Sequence, residues 1–220
     1  MAPPARVEVR VPRVFCDEAG RFGNPLGVVM DGAAVVGDDR QALARHLGYS
    51  ETVFVDDAAD GRIAIYTPEV ELPFAGHPSV GTAWMLHGAG YEIDALRPPA
   101  GKVEVRFEGD ATWVRAKPEW CPDWELVQYG SAAEIDALDV IPDGFFYVWA
   151  WLDEDRGLVR ARCFVAEAGV EEDEATGSAA LPLSAQLDRP IEVRQGRGSV
   201  IHARPVGDGF VEIGGRVVED

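Results

Sequence analysis

Short stretches of alternating apolar and polar residues run along the chain, interrupted by two longer blocks of small and apolar residues. Residues 7–16 (VEVRVPRVFC) alternate with the period of a half-buried strand, and Pro12 marks an edge or a bulge. After a turn at 21–27 (RFGNPLG), residues 27–30 (GVVM) resume a strand. Residues 39–47 (DRQALARHL) place Ala42, Leu43, His46 and Leu47 at helical spacing, with Asp38 and Asp39 at the start and Gly48 at the C-cap. Residues 51–55 (ETVFV) and 62–66 (RIAIY) predict strands joined by the polar turn DDAADG.

Residues 67–88 change character. Gly76 and Pro78 punctuate a turn, and SVGTAWMLH then predicts a short helix that is apolar on nearly all sides and therefore buried. Residues 94–101 (DALRPPAG) carry two prolines, a glycine and little to bury, which reads as a linker. Beyond it, 102–107 with 112–116, and 145–152 with 158–165, predict two hairpins. Residues 171–188 (EEDEATGSAALPLSAQLD) give an acidic run, a glycine turn and a second helix of small residues, and strands at 191–194, 199–204 and 210–213 follow. Each half therefore holds strands, a glycine-containing turn and a buried small-residue helix. That shared order predicts an internally duplicated α+β chain with two similar lobes, 1–97 and 98–220, the last strand being a candidate to cross back to the first lobe.

Composition narrows the chemistry. The 220 residues suit one large domain or two small ones, and need no disulfide or metal to bury a core. Acidic residues outnumber basic ones by 38 to 20, a net charge of -18, which argues against nucleic-acid partners and anionic membrane surfaces. The same charge repels a small carboxylate, so a site for one must supply its own positive potential. Three dispersed cysteines (Cys16, Cys121, Cys163) form no CxxC pair and fit free thiols in a reducing compartment. The N-terminal stretch lacks an apolar signal region and no apolar run approaches the length of a membrane span, so the expected location is cytoplasmic.

The two glycine turns are the leading candidates for function. A helix N-terminus presents unpaired N–H groups and partial positive charge, and small residues let a ligand reach that backbone. Two such turns, around Gly76 and Gly177, could face each other and grip a carboxylate; the plainer reading is ordinary capping by Ser79 and Thr176. Neither turn has nucleotide-loop spacing. Of four histidines, none with metal spacing, His77 stands apart because it lies inside the first turn, suited to proton transfer or hydrogen bonding. Asp173 belongs to an acidic run that reads either as a solvated face or as a carboxylate turned into the cleft toward His77. Glu51 opens a strand, either as a surface residue or as a carboxyl in an apolar cleft with a raised pKa. The aromatic run 145–151 and the pair Trp120 and Trp124 read as packing.

The segments VFCDEAGRFGNPLGVV (14–29), SETVFV (50–55), YTPEVELPFAGHPSVGTA (66–83), EDEATGSAA (172–180) and RQGRGS (194–199) together resemble the phenazine-biosynthesis (PhzF-like) isomerase family, which has the diaminopimelate epimerase fold. The resemblance runs along nearly the whole chain, with the second half short around 117–145. It implies lobes that are each a β-barrel-like sheet wrapped around one buried helix, with the site between them. It also implies that Glu51 is the acid/base group and that His77, Asp173 and Ser178 are site residues. By the same resemblance, Asn24, Gly76, Pro78, Ser79 and Gly177 bind substrate, no cofactor or metal is needed, and a homodimer is possible. The epimerases of this fold use one thiol in each glycine turn; here the turns read AGHPSVG and EATGSAA, which removes those bases. The expected activity is proton movement within a small carboxylate-bearing metabolite. A non-catalytic small-molecule binding or regulatory protein of this fold, and an epimerase using a carboxylate and a histidine, remain as alternatives.

Overall fold

A computed structural model describes residues 7–139, 144–166 and 170–219. The four α-helices among these residues are α1 (Asp38–Leu47), α2 (Gly76–Gly88), α3 (Ala132–Asp136) and α4 (Gly177–Leu187). One sheet has five strands, ordered Val9–Arg10, Gly27–Val29, Thr52–Asp57, Arg62–Tyr66 and Glu71–Leu72. The second has twelve strands and draws on both halves of the chain. Neither sheet closes on itself among the described residues, so the barrel-like expectation becomes two open sheets.

The two central helices occupy the core because they have almost no polar side to turn outward. From Gly76 to Leu86 only Trp84 of α2 is not buried. Gly81 is required there, since a Cβ would meet Leu26 and Val14 at 2.7 Å. Helix α2 packs on strands Ala111–Ala116, Arg13–Cys16 and Phe210–Val218, and α4 packs on Ser199–Gly207 and the same Phe210–Val218. That last strand pairs antiparallel with Ala111–Ala116, Ser199–Gly207 and Arg13–Cys16, so the end of the chain is stitched to its beginning. The register slips at Phe15, whose backbone sits at φ 69 and whose ring is fully buried against Gly177 and Gly215.

Several local expectations need correction. Residues 7–16 split into two strands around Pro12, Val9–Arg10 in one sheet and Arg13–Cys16 in the other. Helix α2 begins at Gly76 rather than Ser79, because Pro78 lies in the first turn, where its missing N–H removes no helical bond. The stretch expected as a linker contributes strand Ala95–Leu96, which is buried and pairs with Val103–Glu108. Two prolines and a glycine hid the two residues that anchor it. The helix at 38–47 ends as expected, on a left-handed Gly48.

Candidate active site

The N-termini of α2 and α4 meet nose to nose. A Cβ on Gly76 would lie 2.9 Å from the carbonyl carbon of Gly177, so only glycine allows this approach. Ile213 from the shared last strand packs under both glycines. No side chain caps either helix. Ser79 donates back to the Ala75 carbonyl at 2.8 Å, and Thr176 Oγ1 donates to Asp173 at 2.6 Å. Both capping expectations therefore fail, and two positive helix ends converge at one place in a chain of charge -18.

Beside this junction lies a cavity of about 240 Å³ lined from both halves of the chain. Its polar lining comes from Ser50, Glu51, Thr67, Glu69, Asp173, Thr176 and Ser178, while Phe74, Trp124 and Phe145 form much of its apolar wall. Glu51 is fixed at the head of strand Thr52–Asp57, its carbonyl accepting from Gly27 N–H at 3.3 Å. Its Oε2 is buried without a hydrogen-bond partner, and His77 Nδ1 is 3.4 Å away. His77 is 3% exposed, and its Nε2 is likewise buried and unpartnered.

Asp173 is placed by strand alternation. In Val170–Asp173 the carboxylate of Glu172 faces Arg162, with both contacts at 2.8 Å, while Asp173 on the other face turns inward. Past the strand end, Glu174 folds back to accept from Arg197 N–H and from Ser199 Oγ at 2.8 Å. Of the acidic run only Glu171 is exposed, so it is not a solvated face as a whole. Asp173 accepts from Asn24 Nδ2 at 2.7 Å and from Thr176 Oγ1 at 2.6 Å.

Burial tunes these groups differently. It pushes the Glu51 carboxyl up to about 7, with a hydrogen bond from Ser50 opposing. It lifts Asp173 to about 6; the charge of Glu51 adds to this, whereas His77, Thr176 and Asn24 oppose it. It lowers His77 to about 4, leaving a neutral ring at neutral pH. The thiols of Cys121 and Cys163 are held up by burial, Cys121 to about 12, so neither offers a base.

The structure brings Glu51, His77, Asp173, Asn24, Gly76, Gly177 and Ser178 around one cavity or directly behind it. Pro78 and Ser79 are buried within the first turn of α2, outside the cavity wall. Sequence reasoning missed Ser50, Thr176, Trp124 and Phe145 on the wall, and Gln195 and Tyr147 behind it. Trp124 and Phe145 meet edge to face at 5.5 Å, so packing residues here also shape the site. Among the described residues, no group of three or more His, Cys, Asp or Glu is placed to hold a metal ion. No described helix is long and apolar enough to cross a membrane.

Two α+β lobes meeting at paired helix N-termini define the architecture shared by PhzF-type proteins and proline-racemase-like epimerases. Structures with this fold include a phenazine-biosynthesis PhzC/PhzF protein from Clostridium difficile (TM-score 0.79, 20% identity, 97% of each chain). A hydroxyproline epimerase from Agrobacterium vitis is more distant (TM-score 0.59, 13% identity, 96% of this chain and 90% of that one). The family model for phenazine biosynthesis-like proteins (PhzC-PhzF) matches residues 13–119. A trans-2,3-dihydro-3-hydroxyanthranilate isomerase from Pseudomonas aeruginosa is 32% identical over 241 aligned residues, covering 85% of this chain and 86% of the relative. The corresponding isomerase from Pseudomonas chlororaphis is 30% identical over 84% of this chain and 86% of its own length. The chain belongs to the phenazine biosynthesis-like, PhzC-PhzF family.

Proposed function

We propose that the protein is a cofactor-independent isomerase that moves a proton between two carbons of a small carboxylate-bearing substrate. The observation that carries this reading is the Glu51 carboxyl, set at a cavity with an unpartnered oxygen and a pKa near 7. Such a group gives and takes a proton with equal ease at neutral pH. The converging ends of α2 and α4 attract the substrate carboxylate. Ionised Glu51 removes a proton from a carbon next to a C=C bond. The electron pair left behind shifts the double bond, and the protonated Glu51 returns the proton to the far carbon, so atoms and charge balance. Neutral His77, 3.4 Å from Glu51, orients that carboxyl, and Asp173 holds a polar group of the substrate.

The relatives' names make trans-2,3-dihydro-3-hydroxyanthranilate the first probe, followed by a panel of small unsaturated carboxylic acids. Incubation in D2O should place deuterium on a carbon of a turned-over acid, read by mass spectrometry and NMR. Tight binding of a panel member with no deuterium in any ligand would instead mark a binding protein.

A further inference from the structure

Glu51 and Asp173 share one cavity, and two carboxylates so close resist being ionised together. What decides between them lies behind the cavity wall. Gln195 is fully buried, between Asp173, Thr176 and Tyr147, and does not line the cavity. Two of its bonds go to backbone groups with fixed roles. Thr176 N–H donates to Gln195 Oε1 at 3.1 Å, and Gln195 Nε2 donates to the Asp173 carbonyl at 2.9 Å. Because an N–H only donates and a carbonyl only accepts, the orientation of this amide is settled.

The rest of the chain follows from that orientation. Gln195 Nε2 gives its second hydrogen to Thr176 Oγ1 at 2.8 Å. With that acceptor position filled, the Thr176 hydroxyl directs its own proton to Asp173 Oδ2 at 2.6 Å. Tyr147 OH donates to Gln195 Oε1 at 3.0 Å, filling the other lone pair. Asn24 supplies the donor at Asp173 Oδ1. Each Asp173 oxygen thus receives a donor, the arrangement that favours an anion, while Glu51 Oε2 receives none.

We propose that Gln195, held by Tyr147, is a positioning residue that keeps Asp173 the anion of the pair and so leaves the mobile proton to Glu51. It deepens the proposed function, since it presumes that Glu51 carries the proton. The titratable groups facing the pair are His77 on α2, Glu69 on the cavity wall, Cys163 on strand Leu158–Val165 and Tyr147 on strand Phe146–Asp153, with Glu172 acting on Cys163 and Arg160 on Tyr147. Burial keeps Cys163 and Tyr147 uncharged at neutral pH, and His77, lowered to about 4, favours the Asp173 anion by its charge only in acid, so at neutral pH none of the three sets the order of the two carboxyls.

Carboxyl-carbon NMR of the full chain, labelled at Asp and Glu, reads this order without any substrate. In the wild type Asp173 should titrate at a lower pH than Glu51. Gln195→Met fills similar space but removes all four hydrogen bonds; it should move the Asp173 midpoint up by about one pH unit and the Glu51 midpoint down. Tyr147→Phe, which keeps the ring, should give a smaller change of the same sign, and it decides the matter if Gln195→Met does not fold. Unchanged midpoints for both carboxyls in a folded variant would overturn the proposal. If the midpoints move yet Glu51→Gln still turns substrate over, the proton-carrier reading fails and the role of Gln195 in ordering the pair stands.

Discussion

The N-termini of α2 and α4 are the same backbone device used twice, but their side-chain surroundings are opposite. At the α2 end, Glu51 Oε2 and His77 Nε2 are buried with no hydrogen-bond partner. At the α4 end, Asp173 accepts donors from Asn24 and Thr176 and is braced by Gln195. Both carboxyls are raised by burial, but only Asp173 has hydrogen bonds at both oxygens to offset it. The difference teaches how one cavity assigns two roles to two similar groups: the well-satisfied one holds still, and the under-satisfied one exchanges its proton.

The strongest way to break the comparison is to separate the two helix ends. On Gly76 a Cβ would press on Gly177 backbone at 2.9 and 3.0 Å and on Ile213 at 2.7 Å. On Gly177 the nearest contacts are wider: Ile213 at 3.0 Å, Phe15 at 3.2 Å and Gly76 at 3.3 Å. Gly76→Ala should therefore destabilise by about 3 kcal/mol and Gly177→Ala by about 1 kcal/mol, measured by denaturant unfolding. Equal losses would mean that the close approach does not govern the junction.

The next effect is a gain. The folded pKa of Glu51, about 7, lies above its ordinary value of 4.5. Its burial is harmless below pH 4.5, costs progressively more as pH rises toward 7 and reaches its full cost above 7. Glu51→Gln should then be more stable than wild type by about 3 kcal/mol at pH 8, with the gain vanishing near pH 4. Asp173→Asn should gain less at pH 8. Its carboxyl is also raised, from 3.8 to about 6, but the new amide hydrogens would face the donors of Asn24 or Thr176, which costs about 1–2 kcal/mol of the relief. Equal gains for the two amide substitutions would erase the distinction between the helix ends.

Much of this arrangement was legible in the sequence. Periodicity located both hairpins and both buried helices, because helices apolar on all sides have only one place to go. The glycine turns marked the junction, and the resemblance pointed to Glu51, His77 and Asp173. What stayed hidden depended on contacts between distant segments. Ala95 and Leu96 look too few to form a strand until Val103–Glu108 pairs with them. Gln195 lies just past the expected strand 191–194, in the segment RQGRGS, and only the fold sets it against Asp173 and Thr176, some twenty positions earlier. Trp124 and Phe145 carry the same letters whether they fill a core or wall a cavity. Ser79 misled in the other direction, since a serine near a helix start suggests a cap but here bonds back to Ala75.

The most direct test of the central claim is the turnover of Glu51→Gln on an acid that the wild type isomerises, with binding of that acid checked by calorimetry. A side chain of the same shape that cannot carry the proton should bind the acid and lose about 10²–10⁴-fold in rate. Turnover within a few-fold of wild type would show that the proton travels on another group.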